Sequence, residues 1–289
     1  LLELIRGYRE TCDAEASILE IVVRGVQLDS RLLQQDDLFL ACFGRNHDAR
    51  NYIDQAIASG CCAILVESGG DWQGIELRDA VPIIAIDNLH AKISEISGRF
   101  FGHPSKKLNV IGITGTNGKT SCVELISQIA KLIDYQCGYI STIGTSFDGK
   151  DFNFPSSLTT PDPVTLQRYF HEMVKKNTSQ VAFEVSSHGL DQSRVVGTSI
   201  DTAILTSFSQ DHLDYHKNTR SYKNAKKKLF TELRPKNIIL NIDNILGKEI
   251  YSDLQKSEVP HSFFSVSSQA GSDFHYSFSR TEDGYIDVK

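Results

Sequence analysis

The residues from Thr114 to Thr120, Thr-Gly-Thr-Asn-Gly-Lys-Thr, have the types and spacing of a phosphate-binding loop. Glycine lets the backbone approach an anion, and the free N–H groups at the start of a following helix attract phosphate. Lys119 could reach the outer phosphates of a nucleotide, and the Thr120 hydroxyl could bind Mg²⁺. Ile113 stands where the usual pattern has glycine, so this is a shortened variant. The residues predicted to bind ATP are Gly115, Thr116, Asn117, Gly118, Lys119 and Thr120.

A second stretch with possible chemistry is Val181 to His188, in which Glu184 ends an apolar, strand-like run. A carboxylate at the end of a buried strand is costly unless it binds a metal ion or hydrogen-bond donors. The residue types and spacing of this stretch leave two roles for Glu184 equally open. Glu184 is either a Mg²⁺ ligand beside Thr120 or a structural glutamate in a salt bridge.

A third stretch places Asp211, His212, Asp214 and His216 within six residues, after an apolar run at 202–206. Carboxylates and imidazoles at this density could hold Zn²⁺ or Mg²⁺, and the phosphate-binding loop favours Mg²⁺. A helix start rich in aspartate is the alternative. The sequence therefore predicts a metal site here without excluding a helix cap.

Composition narrows the class of protein. A chain of 289 residues suits about two domains, and its net charge of −6 argues against nucleic acid as the main partner. We find no apolar run near the ~20 residues of a membrane span and no signal-peptide pattern. The spacing of the six cysteines suits a reducing cytoplasm, so we expect a cytoplasmic protein without membrane partners. Because it starts at Leu1 and stops at Lys289 in mid-pattern, we expect a fragment.

Alternating strand-like and helix-like runs predict an α/β protein with mostly parallel sheets and a ligand site at the carboxyl ends of the strands. A polar stretch at 102–107 is the best linker. The predicted strands are 38–42, 63–66, 83–86, 108–113, 137–141, 181–185, 202–206 and 237–241. The predicted helices are 51–58, 91–101, 119–133, 163–175 and 219–233. Beyond about residue 256 the pattern weakens, and we expect antiparallel strands.

Four motifs in this order and spacing resemble those of the Mur ligases: Thr114–Thr120, Glu184–Leu190, Asp211–His216 and Tyr222-x-x-Ala225-Lys226. The N-terminal part is similar to the uridine-binding domain of the members that act on UDP-N-acetylmuramoyl-dipeptide. The stretches that carry this similarity are Leu28–Arg31, Asp37–Phe39 and Gly44–Asp48. The resemblance covers essentially the whole chain.

The resemblance implies an α/β uridine-binding domain at 1–103 and a central ATPase-type domain at 104–289, incomplete at its end. It also implies that the family's C-terminal amino-acid-binding domain is absent. The implied partners are UDP-N-acetylmuramoyl-dipeptide, ATP and an amino acid, with Mg²⁺ as cofactor, in a monomer. The implied substrate-binding residues are Leu28, Ser30, Arg45, Asn46, His47, Thr159, Thr160, Ser186, Gln192 and Arg194.

The resemblance further implies the metal ligands Thr120, Glu184, His212 and Lys226, with Lys119 and Lys226 as catalytic residues. Lys226 corresponds to a lysine that the family carbamylates with CO₂, which turns an ammonium into an anion that can hold a second Mg²⁺. The run Lys226–Lys228 alone would indicate a solvated helix face. We expect Lys227 and Lys228 to face solvent and to help lower the pKa of Lys226.

The implied reaction is ATP-dependent amide ligation in peptidoglycan precursor synthesis. Phosphoryl transfer to the D-Glu carboxylate of the precursor forms an acyl phosphate, and the amine of meso-diaminopimelate or L-lysine then expels phosphate. Two alternatives remain: a folylpolyglutamate or cyanophycin synthetase of similar architecture, and a fragment that binds nucleotide and UDP-precursor without catalysis. Ser207 departs from the family pattern, which has asparagine at that position.

Overall fold

The computed structural model describes residues 1–8, 19–44, 48–147, 150–151, 158–256, 262–269, 271–280 and 286–288. The chain divides into two compact units. The first comprises Leu1–Pro104, Asp162–His171 and Gln192–Thr198. The second comprises Ser105–Pro161, Glu172–Asp191 and Ser199–Lys289. The segment Asp162–His171 joins the core of the first unit through Val164, which packs in the same cluster as Leu38 and Ile96.

The first unit is built on a sheet with the order β1-β2-β3-β5-β4, parallel except for the β4–β5 pair. Its strands are β1 Gly25–Gln27, β2 Asp37–Ala41, β3 Ala63–Glu67, β4 Ile75–Arg78 and β5 Val81–Ile86. Its helices are α1 Leu2–Ile5, α2 Ile53–Ala58 and α3 Leu89–Phe100. Every residue of β2 is buried, because Leu38 and Leu40 face one hydrophobic cluster and Phe39 and Ala41 face another.

The second unit is built on a sheet with the order β14-β13-β12-β11-β6-β10-β7-β8-β9, parallel from β14 to β7 and antiparallel at β8 and β9. Its strands are β6 Asn109–Thr114, β7 Cys137–Ser141, β8 Gly144–Phe147, β9 Lys150–Asp151, β10 Gln180–Glu184, β11 Thr202–Leu205, β12 Asn237–Asn241, β13 Ser262–Ser267 and β14 Phe274–His275. The mostly parallel α/β class predicted from the sequence is confirmed.

The remaining helices are α4 Lys119–Leu132, α5 Pro163–Lys175, α6 Ser187–Asp191, α7 Leu213–His216, α8 Thr219–Thr231 and α9 Ile245–Gln255. Helix α5 begins in the first unit and ends in the second. The bounds agree with the predicted helices to within about two residues, and the α-helical part of 51–58 starts at Ile53, after a 3₁₀ turn at Ala49–Tyr52. None of the described helices is long and apolar enough to cross a bilayer.

The expectation of antiparallel strands beyond residue 256 is wrong for β13 and β14, which pair in parallel with the sheet. Parallel neighbours need a crossover of about a dozen residues. Helix α9 supplies it between β12 and β13, with Leu246, Ile250 and Leu254 buried. An antiparallel pair does follow, formed by β15 Phe278–Arg280 and β16 Ile286–Val288.

Strand order in the second unit positions the candidate site. Strand β6 lies between β10 and β11, so its carboxyl end is flanked by the carboxyl ends of both neighbours. Glu184 of β10 is paired with Ile113, and Leu205 of β11 is paired with Thr114. The loop that leaves β6 therefore runs between Glu184 on one side and the residues after β11 on the other, as expected for a ligand site of a parallel sheet.

Candidate active site

The predicted phosphate-binding loop joins β6 to α4 in the described structure. Both glycines of the loop have positive φ angles, +155° at Gly115 and +83° at Gly118, and Gly118 is the N-cap of α4. Helix α4, with 14 residues, starts directly after the loop. Its first N–H groups and the positive end of its dipole therefore face the loop. The local structure is that of an anion site.

Gly115 is required for steric reasons as well as by its φ angle. A Cβ atom at this position would overlap the Thr206 Oγ1 atom and would lie about 3.0 Å from the Ser207 backbone nitrogen. The residues after β11 therefore pack directly on the loop at a point where only glycine fits.

We expect Gly115→Ala to lower the free energy of unfolding by about 3–4 kcal/mol, because it combines an unfavourable φ angle with a steric clash. Gly144→Ala is the matched control. Gly144 has a φ angle of +151° and no atom within 4 Å of an added Cβ, so it should cost only about 1–2 kcal/mol. Urea unfolding of the two variants measures the difference. Equal losses would show that the close packing on the loop contributes nothing.

Lys119 is half-buried at the first position of α4. Its Nζ atom donates to Gly115 O and Thr116 O, both at 3.0 Å. Burial lowers the pKa of Lys119, and the negative charges of Glu184 and Asp211 partly oppose that shift. The amine is thus held over the loop, with carboxylates near it.

Glu184 is almost completely buried and lies next to Thr120, as one of the two sequence alternatives required. Its Oε1 atom accepts hydrogen bonds from Thr120 Oγ1 and from the Thr142 backbone N–H, each at 2.8 Å. The ion pairs among the described residues do not include Glu184, which disfavours the salt-bridge alternative. A buried carboxylate beside a hydroxyl at a phosphate-binding loop is a donor set that fits Mg²⁺.

Lys226 lies on α8 and is 1% exposed, so the solvated-face interpretation is wrong for this lysine. Its Nζ atom donates to Gly115 O at 2.7 Å and lies 4.7 Å from the centroid of the Tyr222 ring. Burial and, to a smaller extent, the positive charge of Lys119 lower the pKa of Lys226 to about 7, against the opposing effect of Asp211. At neutral pH a large fraction of this amine is therefore uncharged.

The charge that lowers the pKa of Lys226 comes from Lys119, not from Lys227 and Lys228 as we expected. Lys227 is directed to another helix, where it forms an ion pair with Asp253. Adjacent residues on a helix point about 100° apart, so sequence neighbours of a buried lysine need not be its spatial neighbours.

The four Asp and His residues of the third stretch do not form one metal site, which corrects that prediction. His216 is buried, with Nε2 3.0 Å from Ser187 Oγ, whereas His212 and Asp211 are exposed and 3.6 Å apart. His212 precedes α7 with a φ angle of +52°. Across the described ranges, no three His, Cys, Asp or Glu side chains are arranged to hold a metal ion.

Three of the predicted substrate-binding residues gather beside Glu184 in the second unit. Thr160 Oγ1 donates to Glu184 O at 2.9 Å and accepts from Ser186 N at 2.8 Å. Thr159 Oγ1 lies 3.3 Å from Thr142 Oγ1. The hydroxyls of Thr159, Thr160 and Ser186 thus share one edge of the sheet with the candidate metal ligand.

The other predicted substrate-binding residues lie in the first unit. Arg194 donates from Nε to Gln192 Oε1 at 3.1 Å. Ser30 is buried and donates to Gln55 Oε1 at 3.1 Å, and Leu28 packs against the hydrophobic core. The predicted loop Arg45-Asn46-His47 lies outside the described residues.

Sequence reasoning missed two features of this site: the electrostatic effect of Asp211, which it considered only as a candidate metal ligand, and the contacts of the residues after β11. Asp211 is the carboxylate that acts on the charges of both Lys119 and Lys226. Thr206, Ser207 and Ser209, which follow β11, form hydrogen bonds with the phosphate-binding loop. Their position directly after a strand that neighbours β6 was the only signal available.

Comparison with known proteins agrees with this geometry. A family model described as the Mur ligase middle domain matches residues 113–287, more than half of the chain. The UDP-N-acetylmuramoyl-L-alanyl-D-glutamate–2,6-diaminopimelate ligase of Pseudomonas putida is 41% identical over 235 residues, 81% of this chain and 47% of that protein. The ligase of the same name from Coxiella burnetii is 40% identical over 236 residues, 82% of this chain and 47% of that protein. The chain spans about half the length of these relatives.

Solved structures share the fold. A structure of a UDP-N-acetylmuramoyl-L-alanyl-D-glutamate–2,6-diaminopimelate ligase superimposes with a TM-score of 0.76 at 23% identity, over 92% of this chain and 53% of the other. A MurF ligase from Thermotoga maritima in complex with ADP has a TM-score of 0.60 at 15% identity, over 92% and 57% of the two chains. With the phosphate-binding loop, Glu184 and the buried Lys226 in the expected order, the chain belongs to the Mur ligase family.

Proposed function

We propose that this chain carries the UDP-precursor-binding and ATP-binding parts of an ATP-dependent amide ligase. The ligase adds meso-diaminopimelate or L-lysine to UDP-N-acetylmuramoyl-L-Ala-D-Glu. The observation that carries the proposal is the convergence of Lys119 and Lys226 on the same carbonyl oxygen, Gly115 O, at 3.0 and 2.7 Å. Relatives of known name that act on this precursor match four-fifths of the chain.

The first chemical step is phosphoryl transfer from ATP to the D-Glu carboxylate, which gives an acyl phosphate and ADP. It needs no protein nucleophile, so positioning and charge stabilisation supply the catalysis. The N-terminus of α4 and the N–H groups of residues 115–120 would bind the phosphates. Lys119, whose amine already lies at the loop, would neutralise charge on the transferred group.

Two Mg²⁺ ions would be held by Thr120, Glu184, His212 and carbamylated Lys226, with the carbamate serving the second ion, and they would offset the negative charge of the phosphates. The buried Thr120–Glu184 pair supports this assignment. Carbamylation is an attack of the neutral Lys226 amine on CO₂, in which an N–C bond forms and a proton leaves. A buried amine with a pKa of about 7 suits that reaction.

Thr159, Thr160 and Ser186 of the second unit, and separately Gln192 and Arg194 of the first unit, would bind the substrate, since hydroxyls and a guanidinium donate to carboxylates and pyrophosphate. Leu28, Ser30 and the loop 45–47 would hold the UDP end. In the second step the amine attacks the acyl carbon and phosphate leaves. We place the reaction in the cytoplasm, where ATP and the UDP-precursor are available, and propose a monomer.

Two other functions remain candidates. Folylpolyglutamate synthase from Mycobacterium tuberculosis shares the fold with a TM-score of 0.53 at 15% identity over 68% of this chain, so the fold alone does not decide the substrate. A non-catalytic module that binds nucleotide and precursor is the other. Binding of the UDP-dipeptide would distinguish the proposed ligase from a folylpolyglutamate-type synthetase. Phosphate release, measured with and without amino acid, would distinguish it from a non-catalytic module.

We expect residues 1–289 to bind UDP-N-acetylmuramoyl-dipeptide, and to bind ATP·Mg²⁺ weakly, without forming the tripeptide. The chain spans about half the length of these relatives, and we propose that the other half of their length delivers the amine and closes the site. If the amine is not aligned with the acyl phosphate, most of the several kcal/mol by which positioning lowers the activation barrier is lost. Calorimetry with the UDP-dipeptide and a product assay with both amino acids test this. Failure to bind the UDP-dipeptide would contradict the substrate assignment, and tripeptide formation would contradict the role proposed for the other half of the relatives' length.

A further inference from the structure

The segment Thr206–Ser209, which continues from β11, lies along the phosphate-binding loop. We call it the β11 strap. Its backbone pairs with the loop at both ends. Thr206 N donates to Thr114 O at 3.0 Å, Thr116 N donates to Ser207 O at 2.9 Å, and Ser209 N donates to Thr116 Oγ1 at 3.0 Å. The strap therefore follows the loop residue by residue instead of touching it at one point.

The Ser207 hydroxyl contacts both backbone polar groups, the N–H and the C=O, of a single loop residue. Its Oγ atom accepts a hydrogen bond from Asn117 N at 3.0 Å and lies 3.0 Å from Asn117 O, to which it can donate. Thr206 Oγ1 donates to the same Asn117 O at 2.6 Å. A hydroxyl has one donor and two acceptor sites, so one serine can serve both groups. The orientation of Asn117 at the loop tip is thereby determined from the strap.

The strap is itself anchored on the side away from the loop. Asn241, at the end of β12, donates from Nδ2 to Thr206 O at 2.8 Å. Asn244 Nδ2 in turn donates to Asn241 O at 2.8 Å. Hydrogen bonds thus run from β12 through the strap to the loop tip.

We propose that Ser207 is a positioning residue for nucleotide binding, acting by holding the Asn117 peptide in the orientation that phosphate requires. The inference rests on the proposed function, because it assumes that the loop binds a nucleoside triphosphate. Asn117 N–H is already bonded to Ser207 Oγ, so the donor offered to phosphate is that of the next residue. Asn117 O and Gly118 N–H belong to one planar peptide and point in opposite directions, so holding Asn117 O on the strap directs Gly118 N–H away from the strap. If that N–H is oriented before the ligand arrives, less conformational freedom is lost on binding.

The test compares Ser207→Ala with the unaltered chain, using a non-hydrolysable ATP analogue with Mg²⁺. We expect the dissociation constant to rise roughly tenfold, the size of effect that loss of one or two partly exposed hydrogen bonds produces. Amide hydrogen exchange at Asn117 should become faster. Affinity for the UDP-dipeptide should not change. Ser207→Thr keeps the hydroxyl and should restore most of the nucleotide affinity.

Ser179→Ala is the matched control, because it removes a serine hydroxyl that donates to a backbone carbonyl, Gln136 O, at 3.2 Å, at the opposite end of the same sheet. It should leave nucleotide affinity unchanged. Equal or higher affinity in Ser207→Ala, with unaltered Asn117 exchange, would overturn the role of Ser207 while leaving the proposed function in place. If the unaltered chain bound the analogue not at all, both the proposed function and this inference would be contradicted.

Discussion

Lys119→Ala should abolish ATP-dependent chemistry and weaken binding of an ATP analogue by roughly a hundredfold, while the fold stays intact. The Lys119 amine lies at the phosphate-binding loop, where it donates to Gly115 O and Thr116 O. Lys119 is not among the buried core residues, and its side chain is only half-buried. Removing it therefore takes away phosphate binding without opening a large cavity.

Calorimetry with the analogue and Mg²⁺ measures the loss, and thermal unfolding checks the fold. Lys131→Ala is the matched control, since Lys131 lies in the last turn of the same helix, α4, and is exposed. It should bind nucleotide like the unaltered chain. Retention of normal nucleotide affinity by Lys119→Ala would contradict the assignment of the loop.

The second large effect concerns carbamylation of Lys226. We expect a ¹³C-carbamate NMR signal from the chain under ¹³CO₂, lost in Lys226→Ala and retained in Lys227→Ala and Lys228→Ala. In a protein of the relatives' length, Lys226→Ala should be nearly inactive and partly rescued by short carboxylic acids that fill the vacated position. Lys226→Met, which keeps the side-chain length, guards against loss of signal through misfolding.

The pH dependence of this signal has a definite sign. Only the neutral amine attacks CO₂, and burial lowers the pKa of Lys226 from 10.5 to about 7. Carbamate should therefore increase as the pH rises from about 6 to 8, well below the range in which an ordinary lysine becomes neutral. Equal loss of activity at all three lysines would favour a basic patch without carbamate. A signal that appears only near pH 10 would contradict the burial argument.

The helices and strands around the site were predictable from the sequence because local patterns encode them. The apolar run before Gly115, the glycines and the helical spacing after Lys119 produced a strand, a loop and a helix within a few residues of the observed bounds. Parallel pairing of β13 was not predictable in this way. It depends on α9 packing back against the sheet, and the polar, aromatic residues of that segment carry no such signal.

What the sequence by itself determined is the chemistry available: a phosphate-binding loop, a carboxylate at the end of β10, and a lysine in the Tyr-x-x-Ala-Lys motif of α8. Each is a short motif whose residue types indicate the chemistry that it could perform. What only the tertiary structure decided is which groups act on one another. Lys226 is buried against Gly115 O, 111 residues away in sequence, and its pKa responds to Lys119 instead of the adjacent Lys227. Ser207 holds Asn117 across 90 residues. Hydrogen bonds and charge interactions depend on distance in space, and strand order sets that distance.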